Sequence, residues 1–374
     1  MPLELFFDLV FVLAMTQCTM LMSDNPTWEG LGQGVLVLGL LWWSWVAYAW
    51  FTSVLDPEEG EVRIVLFAVM AAFLIAALCI PAAFEGLGLE LAIAYGVVRA
   101  AHIALFLIVS HDDPGLRRST LGLGVGAAIG TSLLIAGSFL DPGPQAAVWG
   151  LALLLDMGEP YMFGSEGWHL VPGHFAERHG LIIIIALGES IVAIGVGAEA
   201  TLTWGIAGAA ALGIAIAAAQ WWVYFDVVAL VSARRLASVP EGMERNELAR
   251  DSYSYIHFLM VAGIILVALG LKKALVDVDA ELDTVPAFAL LGGVALYLFG
   301  LVAFRLRHVK TVNWRRLELA VILVAMVPVA TELPALAILA IVAALLWILI
   351  LLETRSYGEG RARVRHGDAF PEAR

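Results

Sequence analysis

Residues 178–195 read RHGLIIIIALGESIVAIG, and this stretch decides the class of the protein. It is apolar enough to lie within a bilayer, whose hydrocarbon core takes about 20 helical residues. It nevertheless carries one acid, Glu189, about halfway along. A carboxylate at that depth is costly unless it is protonated, paired or hydrated. The stretch therefore predicts a transmembrane helix with a functional residue inside it.

The whole chain has the composition of such helices. Apolar residues make up 61% of the 374 residues and charged residues only 15%, whereas soluble domains have about half and about a quarter. This composition predicts an all-α polytopic transmembrane helical bundle in contact with the lipid bilayer. The net charge of −13 is spread over many loops and indicates no nucleic-acid partner. Cys18 and Cys79 lie within predicted spans, which argues against a disulfide framework.

Apolar runs separated by turn-forming residues predict about twelve spans. The sixth run is short and the last two nearly fuse, so ten or eleven spans stay open. Of the 21 basic residues, 18 fall in one set of loops and two in the other, with Arg99 inside a span. Cytoplasmic loops carry the excess of Lys and Arg, so we expect both termini in the cytoplasm. The runs are 5–22, 30–54, 62–82, 89–110, 118–139, 145–163, 179–198, 204–232, 252–275, 286–304, 316–332 and 334–352.

An internal repeat divides the predicted spans into two halves. Residues 4–17 align without a gap on residues 177–190, which places Thr16 and Gln17 on Glu189 and Ser190. Because each half has an even number of spans, the two six-helix repeats are predicted to be parallel. The predicted boundaries are 1–163 for the first repeat, 164–178 for a connecting loop, 179–353 for the second repeat and 354–374 for a charged cytoplasmic tail.

Ionisable residues inside the predicted spans are the first functional candidates. Arg99 and Glu189 each lie about ten residues from a helix end, so both are expected at about 15 Å depth and are predicted to pair. His102 follows Arg99 by one turn. Four acids are expected in the cytoplasmic third of their helices, where they form either an acidic vestibule for a cation or proton, or structural ion pairs and caps: Asp8, Asp156, Glu159 and Asp226.

Further polar and aromatic residues form a second group of candidates. The histidines of the 169–179 segment could bind zinc, sense pH or simply be polar residues at the membrane–water boundary. No metal site is predicted from them. The deep tryptophans either line a cage for an organic cation or fill space between helices. The second-group polar residues are Glu4, Glu177, Arg178, Asp156, Glu159, Asp226, Thr16, Gln17 and Ser190. The aromatic candidates are Trp42, Trp43, Trp45, Trp221 and Trp222.

No motif of a soluble enzyme is present in the chain. There is no phosphate-binding loop, no dinucleotide fingerprint and no nucleophile elbow. We therefore predict no cofactor and favour a transport protein over an enzyme.

Five short motifs are spread along the chain: ELFFDLVFV at 4–12, WWSWVAY at 42–48, HFAERHGL at 174–181, LGES at 187–190 and QWWVYFD at 220–226. Together they resemble the bacterial low temperature requirement A family. The resemblance covers nearly the whole chain and implies a bacterial inner-membrane protein linked to growth in the cold, with no agreed biochemical activity.

The first helix is also weakly similar to a family of endolysosomal and bacterial potassium channels. Their first helix carries Phe-Ser-Asp before an aliphatic stretch, whereas Phe7-Asp8 here lacks the Ser. Taken together, these patterns predict a proton-coupled transporter of a small solute or ion, with Glu189 as its proton-binding acid. The alternatives are a passive cation channel, and an intramembrane enzyme or lipid-handling factor for cold adaptation. The oligomeric state is left open, a homodimer included.

Overall fold

The computed structural model describes residues 2–54, 60, 62–162, 168–198 and 203–366. In this part of the chain the regular structure is helical, apart from one isolated bridge between Glu281 and Pro334. The predicted all-α polytopic bundle is confirmed. The chain divides into two compact units: Met1–Phe175 with Pro240–Glu247, and Ala176–Val239 with Leu248–Arg374.

The first unit contains six long helices. Short connections with turn-forming residues join them. The helix that begins at Pro114 is capped by Asp113, whose carboxylate accepts a hydrogen bond from Leu116 N at 3.0 Å. The helices are α1 (Pro2–Asp24), α2 (Trp28–Val54), α3 (Val62–Cys79), α4 (Gly88–Val109), α5 (Pro114–Gly137) and α6 (Pro142–Met162).

Aromatic side chains fill the core of the first unit. The ring of Phe11 on α1 lies 6.1 Å from Trp45 on α2 and 5.9 Å from Phe73 on α3, measured between centroids. Helix α4 packs against α3 and α5, and α6 packs against α5 and α2. The polar residues of α4 and α6 are therefore held inside the unit.

The second unit is built on the helices that follow. Most of α7 (Pro172–Gly197) belongs to it, from Ala176 onward. Helix α10 (Met243–Ala249) belongs to the first unit as far as Glu247. The remaining helices of the second unit are α8 (Trp204–Phe225), α9 (Val228–Ser238), α11 (His257–Val276), α12 (Thr284–Val309), α13 (Trp314–Ala325), α14 (Val327–Ala330) and α15 (Ala335–His366). A π-helical segment, Arg250–Ile256, joins α10 to α11.

Helices α11 and α12 form the centre of the second unit. They approach so closely at Gly263 and Gly293 that a Cβ on Gly263 would lie 2.7 Å from the Gly293 carbonyl oxygen. Small residues permit such contact between membrane helices. Helix α8 packs against α15, and Tyr297 of α12 donates a hydrogen bond to the Gln220 carbonyl of α8 at 2.6 Å.

Ten helical stretches within the described ranges are long and apolar enough to cross a membrane, and the protein is a multi-pass membrane protein. Two of the twelve predicted spans are not among the ten. One is α6, whose polar residues Gln145, Asp156 and Glu159 lower its hydropathy. The other, 316–332, is divided into α13 and α14 next to Pro328, because proline lacks the N–H that would continue the ladder.

Two helices extend into segments that the sequence predicts as a connecting loop and a tail. Helix α7 begins at Pro172, inside the predicted 164–178 loop, because proline is favourable in a first helical turn. Helix α15 continues to His366, so much of the predicted tail is helical. Residues 164–167 of the loop and 367–374 of the tail lie outside the described residues. The parallel six-helix repeats stay a prediction.

Candidate functional site

A buried charged cluster lies between α4 and α6 of the first unit. Arg99 Nη2 donates to Asp156 Oδ1 at 2.5 Å, and Tyr95 OH donates to Asp156 Oδ2 at 2.6 Å. The same Arg99 nitrogen lies 3.7 Å from Glu159 Oε2. Tyr95 and Arg99 share one face of α4 by their four-residue spacing, and Asp156 and Glu159 share one face of α6 by their three-residue spacing. Two acids therefore face one arginine in the core.

Glu159 fits this position because α5 presents a glycine to it. The Glu159 side chain is about 1% exposed, and a Cβ on Gly126 would overlap its carboxylate. Its carboxyl group lies within hydrogen-bonding reach of the Asp156 carboxyl. No described donor bonds either Glu159 oxygen. The two carboxyl groups thus lie against the same arginine nitrogen.

The other predicted polar residues of the first unit bond across helices. Asp8 of α1 accepts a hydrogen bond from Trp45 Nε1 at 2.8 Å. Tyr48 OH donates to the Val98 carbonyl at 2.9 Å, and His102 Nε2 donates to the Ala47 carbonyl at 3.1 Å. Asp8, Asp156 and Glu159 are all buried in the protein interior. Whether they form an inner vestibule stays a prediction.

Glu189 lies in the second unit on α7, and it is buried with about 2% exposure. Cβ atoms built at Gly213 and Gly180 would meet Ile194 and Phe225, so α7 and α8 are antiparallel neighbours. This register places Gln220 within about one helical turn of Glu189 in depth, or about 5 Å.

Gln220 was not selected from the sequence as a candidate. It is fully buried, and neither its amide oxygen nor its amide nitrogen bonds to a described residue. The Ser190 hydroxyl is likewise buried without a described partner. The sequence signal for Gln220 was a single polar residue beside aromatic residues in an apolar helix, because burying a glutamine there is energetically unfavourable.

The predicted pairing of Arg99 with Glu189 stays a prediction. Arg99 bonds to Asp156 and lies close to Glu159, both in its own unit, whereas Glu189 belongs to the second unit.

The two tryptophan groups have different surroundings. Trp42, Trp43 and Trp45 are buried, and the rings of Trp42 and Trp45 stack at 5.1 Å. By contrast Trp221 is 45% exposed and stacks on Phe225. Trp222 lies against Trp347, with centroids 6.3 Å apart. The exposed Trp221 therefore differs from the three buried tryptophans of the first unit.

Histidines of the 169–179 segment each have a different partner. His169 Nδ1 lies 2.7 Å from Glu241 Oε1, and this hydrogen bond lowers the pKa of the exposed Glu241 carboxyl. Because the pKa of Glu241 is lowered in the folded protein, its hydrogen bond to His169 favours the folded state above the ordinary carboxyl pKa. This contribution is lost as pH falls through the lowered pKa of Glu241. His174 Nε2 donates to the buried Glu4 at 3.0 Å. In the described ranges no three metal-ligating side chains are grouped.

His179 belongs to a histidine–tyrosine cluster at the π-helical segment. Its ring lies 5.1 Å from Tyr253 and 5.3 Å from His257. His257 Nδ1 donates to the Ser252 carbonyl at 3.0 Å, so its Nε2 accepts from Tyr224 OH at 2.9 Å. The sequence indicates Tyr224 only as part of the QWWVYFD motif at 220–226. The cluster was missed because its members are distant in sequence.

The remaining second-group residues have varied surroundings. Thr16 donates to the Val12 carbonyl of its own helix at 3.2 Å. Arg178 is buried, whereas Glu177 is exposed and thus differs from its aligned partner Glu4. Gln17 and Asp226 are half-buried.

A groove of about 650 Å³ runs beside α12 and α13 of the second unit. Its lining is apolar, with Leu266, Phe288, Phe299 and Leu317 among its side chains. It offers a polar solute no hydrogen bond from a side chain, so the buried polar groups remain the candidate site.

Comparison with known proteins adds two matches. The family model described as bacterial low temperature requirement A protein matches residues 1–351. An uncharacterized protein of Rhizobium meliloti (strain 1021) is 31% identical over 311 residues, which cover 79% of this chain and 75% of that protein. No solved structure matches the chain.

Proposed function

The chain belongs to the bacterial low temperature requirement A family, and we propose that it is a proton-coupled transporter of a small solute or ion. Glu189 is its proton-binding acid in this proposal. The protein lies in the cytoplasmic membrane with both termini in the cytoplasm, as the distribution of its basic residues favours.

The observation that supports transport is the buried polar layer around Glu189. Glu189 lies inside an apolar helix, and the Ser190 hydroxyl and the Gln220 amide near its depth have hydrogen-bonding capacity that no described residue uses. Unused capacity of this kind is costly in a membrane interior unless a polar ligand or water satisfies it.

The choice of the proton rests on the chemistry of Glu189. A buried carboxyl group changes its protonation with its surroundings, since burial disfavours the charged form and a nearby cation favours it. Transporters use intramembrane carboxyl groups as proton relays for this reason. If the substrate reaches Glu189 from each side of the membrane in turn, movement of the substrate would be coupled to proton uptake and release by Glu189.

The test is proton movement in liposomes that contain the full chain and a trapped pH-sensitive dye. Sodium, potassium and magnesium chlorides and a mixture of amino acids serve as probes on the outside. Glu189→Gln keeps the size of the side chain but cannot bind a proton, so we expect probe-driven proton movement to fall to the rate of protein-free liposomes. Glu177→Gln removes an exposed acid from the same helix and should leave the rate unchanged.

Both variants should retain the wild-type elution volume and melting temperature in detergent. Equal proton movement in wild-type and Glu189→Gln liposomes, including none in either, would overturn the proposal. A wild-type potassium current that reverses at the Nernst potential without proton movement would favour the passive channel instead.

A further inference from the structure

We propose that Asp156 and Glu159 form a second proton-binding site, which holds one proton between two carboxyl groups and has Arg99 as its counter-ion. The site lies wholly within the first unit. It adds a proton site to the proposed transporter, but the contacts that support it do not depend on Glu189.

The charge count of the cluster requires a proton. Asp156 and Glu159 would carry two negative charges when ionised, and Arg99 supplies one positive charge. All three side chains are buried, where an unbalanced charge is strongly unfavourable. Two buried carboxyl groups that lie against one arginine nitrogen share one proton, since two like charges do not both persist with a single counter-ion.

The contacts assign the proton to Glu159. Both oxygens of Asp156 accept short hydrogen bonds, from Arg99 and from Tyr95, and such donors stabilise the ionised form. Glu159 accepts no hydrogen bond from a described donor and is 3.7 Å from the Arg99 nitrogen. A protonated Glu159 donates to Asp156, which is within its reach.

Few other charged or titratable groups surround this site. Helix α4 contributes Arg99, Tyr95 and His102, and α2 contributes Tyr48; His102 and Tyr48 act on Arg99. Helix α5 contributes the backbone of Gly126. Asp156 and Arg99 are the charged groups that act on Glu159. The protonation of Glu159 is therefore set first by its burial and then by this one ion pair.

The experiment is infrared spectroscopy of the purified full chain in detergent at neutral pH, in the carbonyl-stretch region of protonated carboxylic acids. Wild type is expected to show a buried-acid band that Glu159→Gln loses. Asp156→Asn should lose the same band although Glu159 is still present, because Glu159 then ionises to balance Arg99. Glu90→Gln removes an exposed acid from α4 and should leave the band unchanged.

If the cluster is instead a fully ionised structural network, neither variant changes the band, because no carboxyl group of the cluster then carries a proton. A band of unchanged intensity in Glu159→Gln, or a band that persists in Asp156→Asn, would overturn the inference. If Glu159→Gln fails to fold, Asp156→Asn alone decides. The measurement does not involve transport, so its outcome is independent of the proposed transport function. Glu189→Gln should leave in place the part of the band that depends on Asp156.

Discussion

At the scale of single residues, polar side chains of the first unit bond to donors on other helices. Asp8 of α1 bonds to Trp45 of α2, and Asp156 of α6 bonds to Arg99 of α4. A hydrogen bond to a charged acceptor contributes more than a neutral one, and it is costly to remove when the acceptor is buried. These residues therefore stabilise the bundle in addition to any role in transport.

Trp45→Phe tests this view of Asp8. The variant keeps an aromatic ring but removes the indole N–H that bonds to Asp8 Oδ1, so the free energy of unfolding should fall by about 2 kcal/mol. Trp222→Phe is the control, because the Trp222 N–H donates to no described residue. Both are measured as SDS-induced unfolding in mixed micelles. Equal losses in the two variants would show that ring volume, and not the hydrogen bond, is responsible.

At the scale of helices, an ion pair holds α13 against α15 in the second unit. Arg316 Nε and Nη2 donate to the two oxygens of Glu353, each at 2.8 Å, and both residues are buried. The sequence alone indicates only that Arg316 is one of the 18 basic residues expected on the cytoplasmic side. A buried pair of this kind specifies which helices meet, while its net contribution to stability is often small.

Removing one partner of this pair should be worse than removing both. Arg316→Met leaves Glu353 without its arginine, so the free energy of unfolding should fall by about 3–5 kcal/mol. The double variant Arg316→Met with Glu353→Leu should recover most of the loss. Arg315→Met serves as the control, because the neighbouring Arg315 is half-buried and donates to neutral acceptors of α15, the Leu352 carbonyl and Ser356 Oγ. A double variant as unstable as the single one would contradict this interpretation, with SDS titration as the measurement.

At the scale of the whole molecule, the protein is a multi-pass chain whose described residues form two compact units. Helix α11 and the π-helical segment before it separate the arginine-rich connection after α9 from the loop that follows Lys272 and Lys273. Because basic residues are retained in the cytoplasm, the two connections should lie on opposite sides of the membrane.

Cysteine labelling tests this orientation. Ala237→Cys introduces an exposed thiol at the end of α9, next to the first connection, and Ala280→Cys introduces one into the second, whereas the native Cys18 and Cys79 are buried. In intact cells a membrane-impermeant maleimide should label only Ala280→Cys, and both should react after lysis. Labelling of Ala237→Cys alone would reverse the topology, and labelling of both would contradict the single span between them.

The sequence by itself determined the class of the protein and most of its helices. The backbone polar groups of a membrane-spanning helix must bond within that helix, so an apolar run of span length predicts a helix whatever other helix packs against it. The 178–195 stretch is an example. The same reasoning identified Glu189 and Arg99 as unusual, because a charge in an apolar run is conspicuous.

Only the tertiary structure decided which groups these residues meet. Arg99 bonds to Asp156, Arg316 bonds to Glu353, and Gln220 is buried near the depth of Glu189. Apolar helix surfaces resemble one another and resemble lipid, so sequence patterns alone do not specify which faces pack together. The partner of a buried charge depends on that packing, and the packing is a property of the folded bundle.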